Sequence, residues 1–199
     1  MPLTSSTSLI VAQAFRYMEL SRPLSFDDTD QQSVDADQTF PEALRMCLEA
    51  CDWSFASKVV HPPIMSELLP GMITDDDLPF NFVLPGDTVT VHEVGDAFTR
   101  WRIDRQVLRA DQDAPLRLRY TAMLDSELHL PASFRNAVAL RMACLLAPRW
   151  LTTEGKVQQL EMRADQALKE AMRRDGRTAS ASRVDDLDSA SDWVSEALR

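Results

Sequence analysis

Cys47 and Cys51 stand four positions apart, the spacing that puts two thiols on one helix face, and Cys144 could complete a set around one ion. Free cysteine is among the most buried residue types and packs as a small hydrophobe, so core packing is the expectation for all three. His61, His92 and His129 fall in separate segments, without the close ligand spacing typical of zinc sites. Asp75-Asp76-Asp77 aligns carboxylates as a calcium loop does, but the glycine and terminal Glu of such a loop are missing, and a solvated loop is expected. Asp87, Glu93 and Asp104 lie in a stretch with strand-like alternation and would be the acids of an acid-dependent hydrolase. That chemistry needs a shared cleft and carboxyl pKa values pushed apart, and sequence supplies neither. Ser, His and Asp all occur, yet a triad is defined by geometry. No G-x-S-x-G, P-loop or G-x-G-x-x-G is present, and 5 glycines leave little for phosphate-cradling loops. The chain is expected to use no metal or cofactor and not to be an enzyme.

The elements that would position these residues belong to a chain of 199 residues, 45% hydrophobic and 26% charged, an ordinary globular mixture. With 21 Lys and Arg against 31 Asp and Glu, the net charge is −10. Affinity for nucleic acid comes mainly from basic groups that release counterions, so sequence-specific DNA binding is not expected. No apolar window is long enough to cross a membrane. Residues 1–8 lack a basic n-region and the apolar run 9–14 is too short for a secretory signal, which points to the cytoplasm. The odd number of cysteines fits that compartment.

Along the chain, Ile10, Val11, Ala14, Phe15 and Met18 give a helical face over residues 8–20. Residues 21–38, with Asp27, Asp28, Asp30, Asp35 and Asp37, read as an acidic connector with nothing to bury. Thr39 and Glu42 form a capping-box pattern with Pro41 in the first turn, so a second helix is expected to start there and to bury Phe40, Leu44, Cys47, Leu48 and Cys51. The period then changes. Phe80 and Phe82, the turn Pro85-Gly86-Asp87, Val89 and Val91, the turn at Gly95-Asp96, and runs over 98–103, 106–110 and 115–122 predict a small antiparallel β unit across 56–122. Helical spacing returns from Pro131 with Phe134, Val138, Met142 and Leu145; Pro148 should end or kink that helix. A last helix over 153–174 turns Val157, Leu160, Ala164, Ala167, Leu168 and Ala171 inward and sets Asp165–Lys169 and Glu170–Arg174 pairs outside. The fold class is therefore α+β: an antiparallel helical bundle with an inserted small antiparallel β unit and an extended C-terminal segment. The division is 1–55 and 129–175 for the helical core, 56–128 for the insert and 176–199 for a flexible tail beginning with a linker at 176–182.

In that tail Leu187, Ala190, Val194, Ala197 and Leu198 share one helical face with Trp193 at its edge, among five acids (Asp185, Asp186, Asp188, Asp192, Glu196). Burying about four such side chains yields roughly 1.5–3 kcal/mol apiece. Ordering about fourteen backbones costs roughly 1–2 kcal/mol each, so the segment should order only against a partner. Trp53 and Trp101 read as core aromatics, whereas Trp193 reads as an interface anchor. Arg135, Arg141, Arg149 and Arg163 are a solvated face or, in an oligomer, partners for a neighbour's acids.

Several strings, in order, resemble the tail tubular protein A family of short-tailed phages and the related adaptors of gene transfer agents. The stretch with Ala14, Phe15, Met18 and Leu20 before Pro23-Leu24 and Asp27-Asp28 looks like the family's opening helix and turn. Cys51-Asp52-Trp53-Ser54-Phe55-Ala56 resembles its aromatic exit from the second helix, and Leu84-Pro85 with Asp87 its Leu-Pro-x-Asp turn. Trp101-Arg102-Ile103-Asp104, Val107-Leu108, Asp111 and the run from Ala114 to Tyr120 follow its hairpin and final strand, and 134–146 its alanine- and leucine-rich helix. The likeness covers about residues 8–175. Asp104-Arg105-Gln106 stands where the family often has a glycine, and Pro148 interrupts a helix that usually runs longer. The resemblance implies a ring, typically of twelve copies, between a portal protein and a downstream tail or stopper protein in a virion or phage-like particle assembled in the host cytoplasm. DNA would pass through its channel without sequence-specific binding, helped by acids that repel phosphate. Leu187, Trp193, Val194 and Leu198 would dock on the portal, and the four arginines would lie between subunits. The alternatives are the acid-dependent hydrolase and a monomeric cytoplasmic binding module.

Overall fold

Among the described residues, apolar side chains at helical spacing form four helices: α1 (Leu9–Tyr17), α2 (Gln31–Glu49), α3 (Ala132–Trp150) and α4 (Glu154–Thr178). Between α2 and α3 run six strands: β1 (Ser57–Val60), β2 (Phe80–Val83), β3 (Thr88–Val94), β4 (Trp101–Asp104), β5 (Val107–Ala110) and β6 (Leu118–Ala122). The computed structural model describes residues 9–21, 31–124, 130–151 and 154–178. The fold is mixed α+β.

Helix α3 is the axis of the helical part. Phe134, Ala137, Val138, Ala139, Leu140, Met142, Ala143, Leu146 and Ala147 are all buried, more than one face of a helix can supply, because α1, α2 and α4 each pack against it. Its alanines allow that close approach. Leu145, expected in the stripe, lies on the exposed side instead. Helix α1 contributes Ile10, Val11, Ala14 and Phe15, α2 contributes Phe40, Leu44, Cys47 and Leu48, and α4 contributes Leu160, Ala164 and Ala171.

The strands form two three-stranded antiparallel sheets, ordered β1-β6-β3 and β2-β5-β4. Their facing sides share a second core of Phe82, Leu108 and Ala110 from one sheet with Val94, Leu118, Tyr120 and Ala122 from the other, and Leu116 between. Gly95 ends β3 at φ +64, and a Cβ there would fall 2.2 Å from Thr99 Oγ1, so only glycine fits this turn.

Several expectations need correcting. Helix α2 starts at Gln31, not near Thr39, and Pro41 lies inside it. The supposed connector does bury residues: Ser33, Asp35 and Ala36 face inward because Asp35 answers two donors on α3, described below. Helix α3 continues past Pro148 to Trp150, and the Leu151 N–H closes its end on the Ala147 carbonyl (2.8 Å). Phe98 is not in a strand and is 90% exposed; β4 begins at Trp101, which is 38% exposed and no core residue. Asp165 pairs with Arg141 on α3 (2.8 Å), while Glu170 does bind Arg174 (2.7 Å). Helix α4 runs on through Gly176 to Thr178, into the stretch read as a linker. Among the described residues, no helix is long and apolar enough to cross a membrane.

Candidate functional site

The segment from Cys51 to Ala56 leaves α2 and enters β1, and its residues tie the helices to the sheets. Asp52 accepts from the buried guanidinium of Arg119 on β6, which also reaches Glu93 on β3 (2.9 Å). Trp53 is fully buried; its indole N–H donates to the Cys47 carbonyl (2.9 Å), and its ring meets Phe134 edge-on at 4.8 Å. Ser54 donates through both its backbone N–H (2.9 Å) and its hydroxyl (2.6 Å) to Asp175 on α4. Phe55 stacks at an angle on Trp53 and Phe134 (5.5 and 4.9 Å). The Ala56 carbonyl accepts from the Ala122 N–H (2.9 Å). One short string thus fixes α2, α3, α4 and the β1-β6-β3 sheet relative to each other.

His92 on β3 belongs to the same junction. Its Nε2 lies 2.7 Å from Thr121 Oγ and 3.5 Å from Asp52 Oδ1. Burial holds its pKa below the ordinary 6.5; Arg119 adds to that, while Asp52 and Glu93 pull the other way. This is not a nucleophilic triad. The hydroxyl and the carboxylate address the same ring nitrogen, and Thr121 is wholly buried, so no substrate reaches its oxygen. The group positions rather than reacts.

The carboxylates considered for hydrolysis are each engaged by a cation. Asp87 accepts from Lys58 (2.6 Å) and from the Tyr120 hydroxyl (3.0 Å). Burial pushes the Asp87 carboxyl up, but these donors outweigh it and leave it below the usual carboxylate range. Tyr120 is in turn pushed up to about 12, first by burial and then by Asp87. Glu93 binds Arg119, on the β1-β6-β3 sheet. Asp104 lies on the other sheet, where the Arg102 guanidinium grips both its oxygens (2.9 Å each) and holds it low. Asp87 and Asp104 are thus both held as carboxylates rather than as proton donors.

A cleft of about 550 Å³ opens beside that pair, lined by residues 71–77 and by Arg102, Asp104, Arg105 and Arg109. Arg102 also reaches Asp75 (2.9 Å), and Arg109, only 4% exposed in its side chain, donates to the Ile73 carbonyl (2.8 Å). Arg109 Nε comes within 2.9 Å of Asp104 without a hydrogen-bond alignment, a Coulombic contact only. These contacts pin the long loop before β2 to the β2-β5-β4 sheet. Asp75 also accepts from the Asp77 N–H (3.0 Å), so the aspartate run works as loop structure.

Among the described residues, Arg141, Arg149 and Arg163 meet partners within the chain. Arg141 binds Asp165; Arg149 donates to Asp35 (2.7 Å), which also accepts from the Trp150 indole (3.1 Å); and Arg163 lies 5.0 Å over the Tyr17 ring. Arg135 is half-buried on the first turn of α3, its N–H on the Pro131 carbonyl (2.9 Å). Burial pushes the Cys47 thiol up to about 12 and the Cys144 thiol to about 11, as expected of packed cysteines. Among the described residues, no His, Cys, Asp and Glu group has the geometry to hold a metal ion. His61 Nδ1 lies 3.1 Å from the Leu116 carbonyl. His129, Leu187, Trp193, Val194 and Leu198 lie outside the described residues. Comparison with protein-family models and with curated proteins gives no match.

The junction of Asp52, His92, Arg119 and Thr121 escaped sequence reasoning. Its members come from three elements, and only the acid immediately before Trp53 hinted at it.

Proposed function

We propose that this chain is a structural head-to-tail adaptor, one copy of a ring joining a portal to the tail of a phage or phage-like gene transfer particle. The observation that carries the reading is where the family-like strings fall. Cys51 to Ala56, likened to an aromatic exit, is the junction segment whose side chains hold the helices to the sheets. The run from Trp101 to Tyr120 makes the β4–β5 hairpin and then β6, and the alanine-rich stretch makes α3, around which the other helices pack. Arg105, standing where the family often has glycine, adopts the left-handed φ of +61 that glycine favours. A glycine at this position would adopt the same backbone conformation without strain.

On this reading the helices form an antiparallel bundle (1–55 and 129–175), the insert (56–128) projects toward the tail or stopper protein, and the segment 176–199 extends to the portal through Leu187, Trp193, Val194 and Leu198. Twelve copies close the ring, with Arg135, Arg141, Arg149 and Arg163 near the subunit boundaries. The net charge of −10 favours a channel wall that lets DNA slide without sticking. The protein is then a component of the particle, with no catalytic role. The test is mass spectrometry and electron microscopy of purified particles. Ring density of this mass at the head–tail junction is expected, and absence of the chain from intact particles would end the reading.

A further inference from the structure

The two outer edges of the β2-β5-β4 sheet are treated differently. Along β2, the Met65 N–H donates to the Asn81 carbonyl (2.7 Å) and the Val83 N–H to the Pro63 carbonyl (3.0 Å), so residues 63–65 cover that edge. Among the described residues, nothing covers the edge of β4. Its exposed backbone groups follow from the alternation of an antiparallel ladder. The Asp111 N–H bonds the Arg100 carbonyl (3.1 Å) and the Leu84 N–H bonds the Gln106 carbonyl (3.4 Å). Odd-numbered residues of β5 therefore face β4, which engages Arg102 and Asp104 and leaves the N–H and C=O of Trp101 and Ile103 pointing outward.

The same two residues carry the apolar face past its last covered row. Phe80, Ala110 and Trp101 lie abreast, as do Phe82, Leu108 and Ile103; Ala110, Phe82 and Leu108 are buried, while Trp101 and Ile103 remain 38% and 37% exposed. Phe98 stands just upstream at 90% exposure. Natural edges are commonly blunted by short length, charge, proline or a bulge; β4 is short and carries Arg102 and Asp104, but those charges are engaged within the chain and the strand has no proline, lysine or bulge.

The strand's own sequence selects the occupant. Because only Trp101 and Ile103 offer outward groups, two antiparallel copies of β4 can pair only in registers two residues apart. Centred on Ile103, Trp101 would face Arg105, whose left-handed φ of +61 cannot continue a ladder. Centred on Trp101, Ile103 would face Thr99, whose N–H is already bonded to the Asp96 carbonyl (3.2 Å). Centred on Arg102, Trp101 lies opposite Ile103 of the second copy in both halves, an aromatic against a β-branched residue, and Arg100 lies opposite Asp104. Arg102 meets its own counterpart there, but each is neutralised by Asp75 and Asp104. We infer that the β4 edge is a self-association surface on which a second copy of this chain adds its β4 antiparallel, joining two sheets into one of six strands.

So small a contact belongs to the weak, reversible class. It is two-fold and closes on itself, so it builds no ring and does not rest on the adaptor reading. Sedimentation velocity over a concentration series should show a reversible monomer–dimer equilibrium, weakened at least about tenfold by Ile103→Lys. NMR-detected amide exchange of the unmodified chain provides a test that no misfolded variant can spoil. The Trp101 and Ile103 amides should slow as concentration rises, while that of Arg102, already bonded within the sheet, should not change. A chain that stays monomeric throughout, or a dimer in which the Trp101 and Ile103 amides exchange at the monomer rate, overturns the inference.

Discussion

His92 is held neutral at the junction by burial, and that has a pH signature. A histidine whose folded pKa lies below its unfolded value binds its proton more readily once unfolded. Its contribution is complete above pH 6.5 and is lost as pH falls from there to the folded pKa. Asp87 behaves as a depressed carboxyl does: its contribution is present above the ordinary 3.8 and is lost as pH falls from there through the lower folded value. Stability against urea should thus begin to decline below pH 6.5 through His92 and decline further below 3.8 through Asp87, and His92→Gln should abolish the decline that begins near 6.5. A decline there that persists unchanged in that variant would place the titration elsewhere. Arg105 allows a second residue-level test. An L-residue at φ +61 carries backbone strain that glycine escapes, while glycine gives the unfolded chain more freedom. The strain term is the larger, so Arg105→Gly should raise unfolding free energy by about 0.5–1 kcal/mol. A fall in the urea midpoint would contradict this.

Helix α2 shows how far elements can be read from sequence and where that reading stops. The faces of α1 and of the C-terminal half of α2, and the alternation of β2 and β3, were legible because their apolar spacing is local. The start of α2 was not. Thr39, Pro41 and Glu42 imitate a helix start inside a longer helix, and the upstream turns are stabilised by Asp35 meeting Arg149 and Trp150 more than a hundred residues away. No window of sequence contains that contact. Strand β1, Ser57 to Val60, has no apolar–polar alternation to announce it, and its pairing with β6 again depends on distant residues. Trp101 misled in the opposite way: its size suggested the core, but its strand lies at an edge. The junction site was the least legible part, since ion pairs between elements leave no periodic trace. The misread proline yields a prediction at this scale. Pro41 is exposed and interior to α2, where it cannot donate a helical hydrogen bond that alanine would restore. Pro41→Ala should stabilise the protein by about 1–3 kcal/mol, measured by thermal or urea unfolding. A destabilisation would mean that the constraint Pro41 places on α2 helps Asp35 to reach Arg149.

At the scale of the molecule, the question is what the acidic end of the chain is for. The described residues already contain a helical core and a sheet core, each closed by its own buried side chains. On the adaptor reading residues 183–199 serve the portal contact rather than these cores, so a chain truncated after Ser182 should unfold at the same urea concentration as the full chain. The removed segment carries Leu187, Trp193, Val194 and Leu198 among five acids, a composition suited to anchoring on another protein through Trp193. Under the proposed adaptor role, truncation should lower affinity for the portal at least about tenfold, with Trp193→Ala accounting for much of the loss. Light scattering separates this from a general assembly defect. Without portal, full-length and truncated chains should show the same monomer and weak dimer and no ring. With portal added, only the full-length chain should be recruited in quantity. Rings that form without portal would show that subunit contacts alone suffice. Full recruitment of the truncated chain would move the docking surface onto the folded core.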